Sequence, residues 1–391
     1  MLVPRKAIET IRRALKGFPV VAVTGPRQSG KTTLVKNMFQ ERPYVSLEDP
    51  DELDFSIEDP RLFLNRFPDG AIIDEAQLNP ELFSYLQTKV DNDGRMGLFI
   101  LTGFQQFGFM EKITQSLAGR VATVPLLPFS LGELQGVNRA PARLEELLWT
   151  GLYPPIWDRN IDPPLWHGNY VETYLERDVH RLINVRDRST FHRFLRMCAA
   201  RTGQILNLSA LGNDCGITHN TAKAWLSVLE ASYVVHLLPP HHRNFRKRLI
   251  KAPKLFFLDT GLAAYLMGIQ DAEQLQVHPQ RGALFETWVL AELLKGRLHR
   301  GLNSNLFFWR DQSGLEVDII IDNGLTLIPV EVKSGTTVNR DFFRGLERWT
   351  ALAGEISESP HLVYGGDQRQ KRKQGEVLPW DRITDLVEMG S

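Results

Sequence analysis

At 391 residues, with 46 Lys+Arg set against 46 Asp+Glu, the chain has room for roughly two or three domains and no net charge that would by itself select a polyanionic partner. Two cysteines, Cys198 and Cys215, exclude a disulfide framework and a thiolate zinc site, and no apolar run approaches the ~20 residues of a membrane helix. With a polar, basic N-terminus in place of a signal-peptide core, this predicts a cytoplasmic protein without membrane contact.

The first elements are the most informative. The apolar run Pro19-Val20-Val21-Ala22-Val23 predicts a buried parallel strand, and Thr33 to Phe39 predicts the first turns of a helix. Between them lies Gly25-Pro26-Arg27-Gln28-Ser29-Gly30-Lys31-Thr32, a complete phosphate loop. Glycines let such a loop turn its N–H groups toward a di- or triphosphate, and the following helix adds its positive end. Lys31 then bridges β- and γ-phosphate oxygens, while the Thr32 hydroxyl ligates Mg²⁺. Thr33 closes the loop's contact set.

Strand candidates follow at 44–47, 70–74, 98–102 and 121–126, separated by helix-length segments, which predicts an open parallel sheet with helices on both faces. The third ends in Asp74-Glu75. Asp74 suits Mg²⁺, and Glu75 suits a water attacking the γ-phosphate. No guanine-reading Asn/Lys-x-Asp element is placed for use, so the expected nucleotide is ATP. This order of strands resembles the additional-strand class of ATPases, and the resemblance implies that the 98–102 strand lies between the first and third and carries a polar sensor, here Thr102 or, beyond it, Gln105.

The motif series resembles a family of bacterial and archaeal AAA+ ATPases of the additional-strand class, which carry a C-terminal region of unknown function. The matching elements are the phosphate loop, Ile73-Asp74-Glu75-Ala76-Gln77, Leu101-Thr102-Gly103, Gly119-Arg120, Pro128-Phe129-Ser130, Gly151-Leu152-Tyr153-Pro154 and Tyr174-Leu175-Glu176-Arg177-Asp178. The resemblance implies ATP and Mg²⁺ as cofactors, a homo-oligomer, and Arg120 as an arginine finger or sensor. A structural ion pair is the competing account of Arg120. Phe104 stands where the family has a small hydroxyl residue, which leaves Thr102 as the better sensor.

After this first domain (1–135), residues 136–185 predict a helical lid or connector rich in Trp and Tyr, more in keeping with a core than with base stacking. Its last helix, Tyr170 to Arg181, sets Arg177 and Arg181 on one face. Over 186–270, Phe191, Phe194, Leu195 and Cys198 repeat at helical spacing. A short helix from Leu208, a Gly-containing turn and a helix from Thr218 to Leu229 come next, with Ala222, Trp225, Leu226 and Leu229 as its buried stripe. A basic segment completes the plan of a winged helix-turn-helix that binds DNA. His219, Asn220 and Lys223 would face the groove, and Arg243, Arg246, Lys247, Arg248 and Lys251 the phosphates.

The last region, 271–391, predicts an amphipathic helix bearing Glu286, then strands at 306–310, 316–321 and 325–333. Its pattern Asp318-x12-Glu331-x-Lys333 resembles the restriction-endonuclease-like and Holliday-junction-resolvase-like nucleases, with Val317 in place of their proline. The resemblance implies an α/β domain in which Asp318, Glu331 and Glu286 hold Mg²⁺ and Lys333 orients or deprotonates water. The whole then reads as an α/β protein: an ATPase that binds structured or branched DNA and couples nucleotide state to a nuclease-like centre. The competing reading is a nucleotide-gated DNA- or protein-binding switch in which that centre is silent.

Overall fold

An unbroken apolar strand must be covered on both faces, and Val20-Val21-Ala22-Val23 is buried at every position. The structure is a computed structural model that describes residues 3–103, 116–175, 188–241, 251–311 and 313–389. In it this run forms β1 (Val20–Thr24). With β2 (Tyr44–Ser46), β3 (Ala71–Asp74), β4 (Phe99–Thr102) and β5 (Val121–Pro125) it makes an all-parallel sheet of order β2-β3-β4-β1-β5. The late strand β4 therefore lies between β3 and β1, as the resemblance to additional-strand ATPases implies.

Alternation divides the core into two layers. Val20 and Ala22 pack with Phe63, Leu86, Phe99 and Leu101 on one face; Val21 and Val23 pack with Ile11, Leu34, Val35 and Ile100 on the other. The registers Val23↔Thr102 and Ile73↔Leu101 bring the carboxyl ends of β1, β3 and β4 level. Whatever follows those three strands shares one edge.

The chain divides into two compact units. One holds Met1–Phe129 with Ala231–Tyr233 and Leu298–Leu302; the other holds Ser130–Glu230, Val234–Arg297 and Asn303–Ser391. The second thus takes in what the sequence partitions at 185 and 270.

In the second unit, Tyr153, Trp166 and Tyr170 are all buried, with ring centroids 4.6 and 4.9 Å apart. They are core, and burial this complete leaves no face for a base. The helix Pro163–Tyr170 runs into a wide π-type turn, Val171–Leu175. Arg177 and Arg181 lie outside the described residues.

The helices Arg188–Ala199, Leu208–Cys215 and His219–Ala231 bury the residues their periodicity selects: Phe191, Phe194 and Leu195, then Leu211, then Ala222, Trp225, Leu226 and Leu229. Gly216 ends the second helix at φ 71°, and the Thr218 hydroxyl accepts from Thr221 N at 3.1 Å to open the third. Beside them β6 (Gln204–Ile205), β7 (Val235–Leu238) and β8 (Lys254–Phe257) form an antiparallel sheet of order β6-β8-β7. β6 has two residues, too few for any pattern to announce it.

His236 on β7 gives this sheet a pH dependence. Its Nε2 is buried without a hydrogen-bond partner among the described residues, and burial pushes the imidazole down to about 4 from 6.5. As pH falls the unfolded chain takes up this proton first, so the stability is whole above 6.5 and drains between there and about 4. The expected loss is on the order of 2 kcal/mol, allowing for the partial exposure of the ring. Urea midpoints taken across that window should fall in the wild type and flatten in His236→Leu.

The C-terminal sheet is mixed. β9 (Leu306–Arg310), β10 (Glu316–Asp322), β11 (Leu327–Lys333), β12 (His361–Tyr364), β13 (Gln370–Arg372) and β14 (Gly375–Pro379) run in the order β13-β14-β12-β11-β10-β9. Trp309, Leu346 and Trp349 anchor its core, the last two from the helix Arg344–Ala353. The helix Arg281–Leu298 is buried along most of its length. Among the described residues no helix is long and apolar enough to cross a membrane.

Candidate functional site

The first cluster forms at the level edge of the parallel sheet. Gly25 leaves β1 at φ +142°, where an added Cβ would lie 2.2 Å from the Leu126 carbonyl oxygen, so only glycine fits. Gly30, at φ 92°, precedes the helix Lys31–Met38. The buried Arg5 guanidinium donates to Ser29 O at 2.8 Å and Leu127 O at 2.5 Å, fixing the loop to the chain beyond β5. Lys31, also buried, donates from Nζ to Gly25 O at 3.1 Å and Pro26 O at 2.8 Å. Its ammonium is thus held against the first two residues of its own loop.

Asp74 ends β3 and gathers hydroxyl groups. Thr32 donates to its two oxygens at 3.1 and 3.0 Å, Tyr44 at 2.6 Å, and Thr102 from the end of β4. A carboxylate and a threonine hydroxyl in contact are hard oxygen donors and fit Mg²⁺. Glu75 follows at φ 53°, a left-handed turn that swings its side chain away from the strand direction. Gln77 Nε2 donates to it. Burial raises the Glu75 pKa, opposed by the charges of Lys31 and Arg27. Glu75 therefore lies within the field of the loop's cations.

Lys31, Thr32, Asp74, Glu75 and Thr102 thus come together. Arg27 and Gln28 are half-buried in the loop, Pro26 and Ser29 are buried, and Thr33 is exposed. Gln105 lies outside the described residues. Arg120 is not brought to the cluster. It precedes the first residue of β5, at the amino edge of a parallel sheet whose cluster is at the carboxyl edge, about 16 Å away along five residues of strand. There it pairs with Asp91 through Nε at 2.5 Å and Nη2 at 2.8 Å. Within its own chain the ion-pair account holds.

The second cluster lies in the second unit. Alternation along β11 puts Glu331 and Lys333 on one face, and Lys333 Nζ reaches Glu331 at 2.5 Å and Asp318 at 3.6 Å. Asp318 Oδ2 also accepts from Val332 N at 2.8 Å. Glu286 arrives from the helix Arg281–Leu298. Ligand oxygens of Glu286, Glu316 and Asp318 all lie within 4.8 Å of one another. Burial, then the Asp318 charge, raises the Glu331 pKa to about 8; burial likewise raises Glu286, opposed by Lys254. Crowded, buried carboxylates of this kind fit a hard cation, whose charge offsets both costs.

Two members of this cluster escaped sequence reasoning. Glu316 stands two residues before Asp318 on β10, so the strand period was a signal for it. Lys254, on β8, had none. It donates to Glu286 at 2.8 Å and also pairs with Glu316.

Of the residues expected at DNA, His219, Asn220, Lys223 and Lys251 are exposed. Arg243, Arg246, Lys247 and Arg248 lie outside the described residues.

Comparison with known proteins divides the chain three ways. Residues 17–135 match an AAA domain, residues 281–383 match a domain of unknown function (DUF4143), and residues 141–273 match another (DUF8612). The uncharacterized protein Rv2008c of Mycobacterium tuberculosis is 33% identical over 343 residues, covering 86% of this chain and 75% of its own length. Mb2031c of Mycobacterium bovis, also an uncharacterized protein, matches equally. Among solved structures, the Walker-type ATPase PABY2304 of Pyrococcus abyssi aligns at TM-score 0.46 and 17% identity, over 68% of this chain and 96% of its own. A RuvB mutant of Thermotoga maritima aligns at TM-score 0.31 and 17% identity, over 60% and 88%.

Proposed function

The chain belongs to the family of AAA-domain proteins that includes Rv2008c, and from that premise we propose that it binds and hydrolyses ATP, binds structured or branched DNA, and couples nucleotide state to a nuclease-like centre. One observation carries the first part: Lys31, Thr32, Asp74, Glu75 and Thr102 converge where β1, β3 and β4 end. The loop N–H groups and Lys31 bind the β- and γ-phosphates. Thr32 and Asp74 would hold Mg²⁺, which when bound neutralises phosphate charge. Thr102 positions the Asp74 carboxylate. Glu75 orients the attacking water and accepts its proton.

The second part of the reading treats the three helices from Arg188 to Ala231, with β6, β7 and β8, as a winged helix-turn-helix. The exposure of His219, Asn220 and Lys223 at the start of the third helix supports it. The C-terminal sheet with Glu286, Asp318, Glu331 and Lys333 is read as a restriction-endonuclease-like domain. A cytoplasmic homo-oligomer belongs to the same proposal.

A second reading, the nucleotide-gated switch that cuts nothing, is favoured by one observation. An ammonium, Lys254, already sits among the C-terminal carboxylates. Incubation with linear and branched DNA, with and without ATP, in Mg²⁺ or Mn²⁺, separates the two. The nuclease reading predicts cleavage that Asp318→Ala loses. Intact DNA under every condition, with ATP-dependent DNA binding retained, supports the switch.

A further inference from the structure

Four carboxylates converge in the second cluster: Glu286, Glu316, Asp318 and Glu331. Lys254 is 2% exposed, and it comes from a strand outside the sheet that carries Glu316, Asp318 and Glu331. Desolvating an ammonium is costly unless it is closely paired, so its two contacts, with Glu286 and Glu316, must outweigh that cost. Both partners belong to the trio whose oxygens lie within 4.8 Å. The ammonium therefore bridges two carboxylates of the trio, as an ion bound by the trio would.

An independent feature of the same centre points to a missing ligand. Glu331 is 8% exposed, yet its Oε2 is buried with no hydrogen-bond partner among the described residues. Its other oxygen is taken by Lys333. A buried carboxylate oxygen left without a donor is expensive, and a cation is the simplest group to satisfy it.

On the reading of these carboxylates as a metal-type centre, we infer that Lys254 is a tethered counter-cation filling the position of a divalent ion, so that Mg²⁺ or Mn²⁺ enters only by competing with it. β8 is the middle strand of its sheet, and Lys254 is held on both sides, opposite Ile205 and Leu238. Its Cα is thereby fixed, and only the four-carbon stem can withdraw. Four carboxylates face the ammonium groups of Lys254 and Lys333, with Arg310 at 3.3 Å from Glu316. An ion of charge two in place of one ammonium improves that balance; relocating a buried lysine opposes it.

The test is Mn²⁺ binding to nucleotide-free, full-length protein, read by the loss of the free-ion electron paramagnetic resonance signal. Lys254→Met should bind Mn²⁺ about tenfold tighter or more than wild type, and the gain should vanish in Lys254→Met/Asp318→Asn. Equal affinity in wild type and Lys254→Met overturns the counter-cation and leaves the metal centre standing. Binding to neither overturns both. Should Lys254→Met fail to fold, the wild type still decides. Saturating Mn²⁺ should raise the rate at which an amine-reactive reagent labels Lys254 by about tenfold or more, and Mn²⁺ bound at this centre with unchanged labelling overturns the inference.

Discussion

Lys31→Ala is expected to lose ATP binding, with an affinity at least about 100-fold below wild type. On the proposed reading the ammonium would make charge-assisted hydrogen bonds to two phosphate groups, each worth about 1.5–3 kcal/mol, and two of them amount to two or more decades in Kd. The loop itself should survive the change. Its shape is set by Gly25 against Leu126, by Gly30 at the helix start and by Arg5 on the Ser29 carbonyl, none of which depends on Lys31. What the substitution removes from the protein is a pair of contacts to Gly25 O and Pro26 O within its own loop. Calorimetric titration with ATP, beside a thermal melt to verify folding, makes the measurement. Wild-type affinity in a folded variant would contradict the assignment.

How much of this was legible in the sequence depended on whether a signal was local. Strand β1 with its phosphate loop, and the strand ending in Asp74-Glu75, are each a continuous local signal, and parallel strands bring such carboxyl ends to one edge. The insertion of β4 between β3 and β1 was implied by the resemblance to additional-strand ATPases. Glu331 and Lys333, two apart on a strand, had to share a face, and they touch.

Contacts made by tertiary packing were not legible. Arg5 reaches residues 24 and 122 positions away, and nothing near it in sequence hints at Ser29 or Leu127. Tyr44 reads as a strand residue, yet its hydroxyl ends on Asp74. Lys254 follows three residues after the basic Lys251, yet its side chain turns inward to Glu286 and Glu316. Charge along a segment gives its composition, and only packing decides which member is buried. Arg120, for which the resemblance implies a finger or sensor role, lies at the far edge of its own sheet beside Asp91, a pairing no local pattern announces.

Glu75→Gln is the second large effect, expected to lower turnover by about 10²–10⁴-fold while leaving ATP binding intact. The amide preserves the shape of the side chain and a polar atom for Gln77, so the left-handed turn at position 75 has no reason to change. It cannot accept the proton of the attacking water. Removing a negative charge beside the phosphates also favours the bound nucleotide.

Nucleotide retained by this variant after incubation with Mg-ATP, then desalting, denaturation and chromatography, tests the central claim most directly. The account predicts about one intact ATP per chain, with phosphate release nearly abolished. Release of ADP and phosphate at the wild-type rate would contradict it.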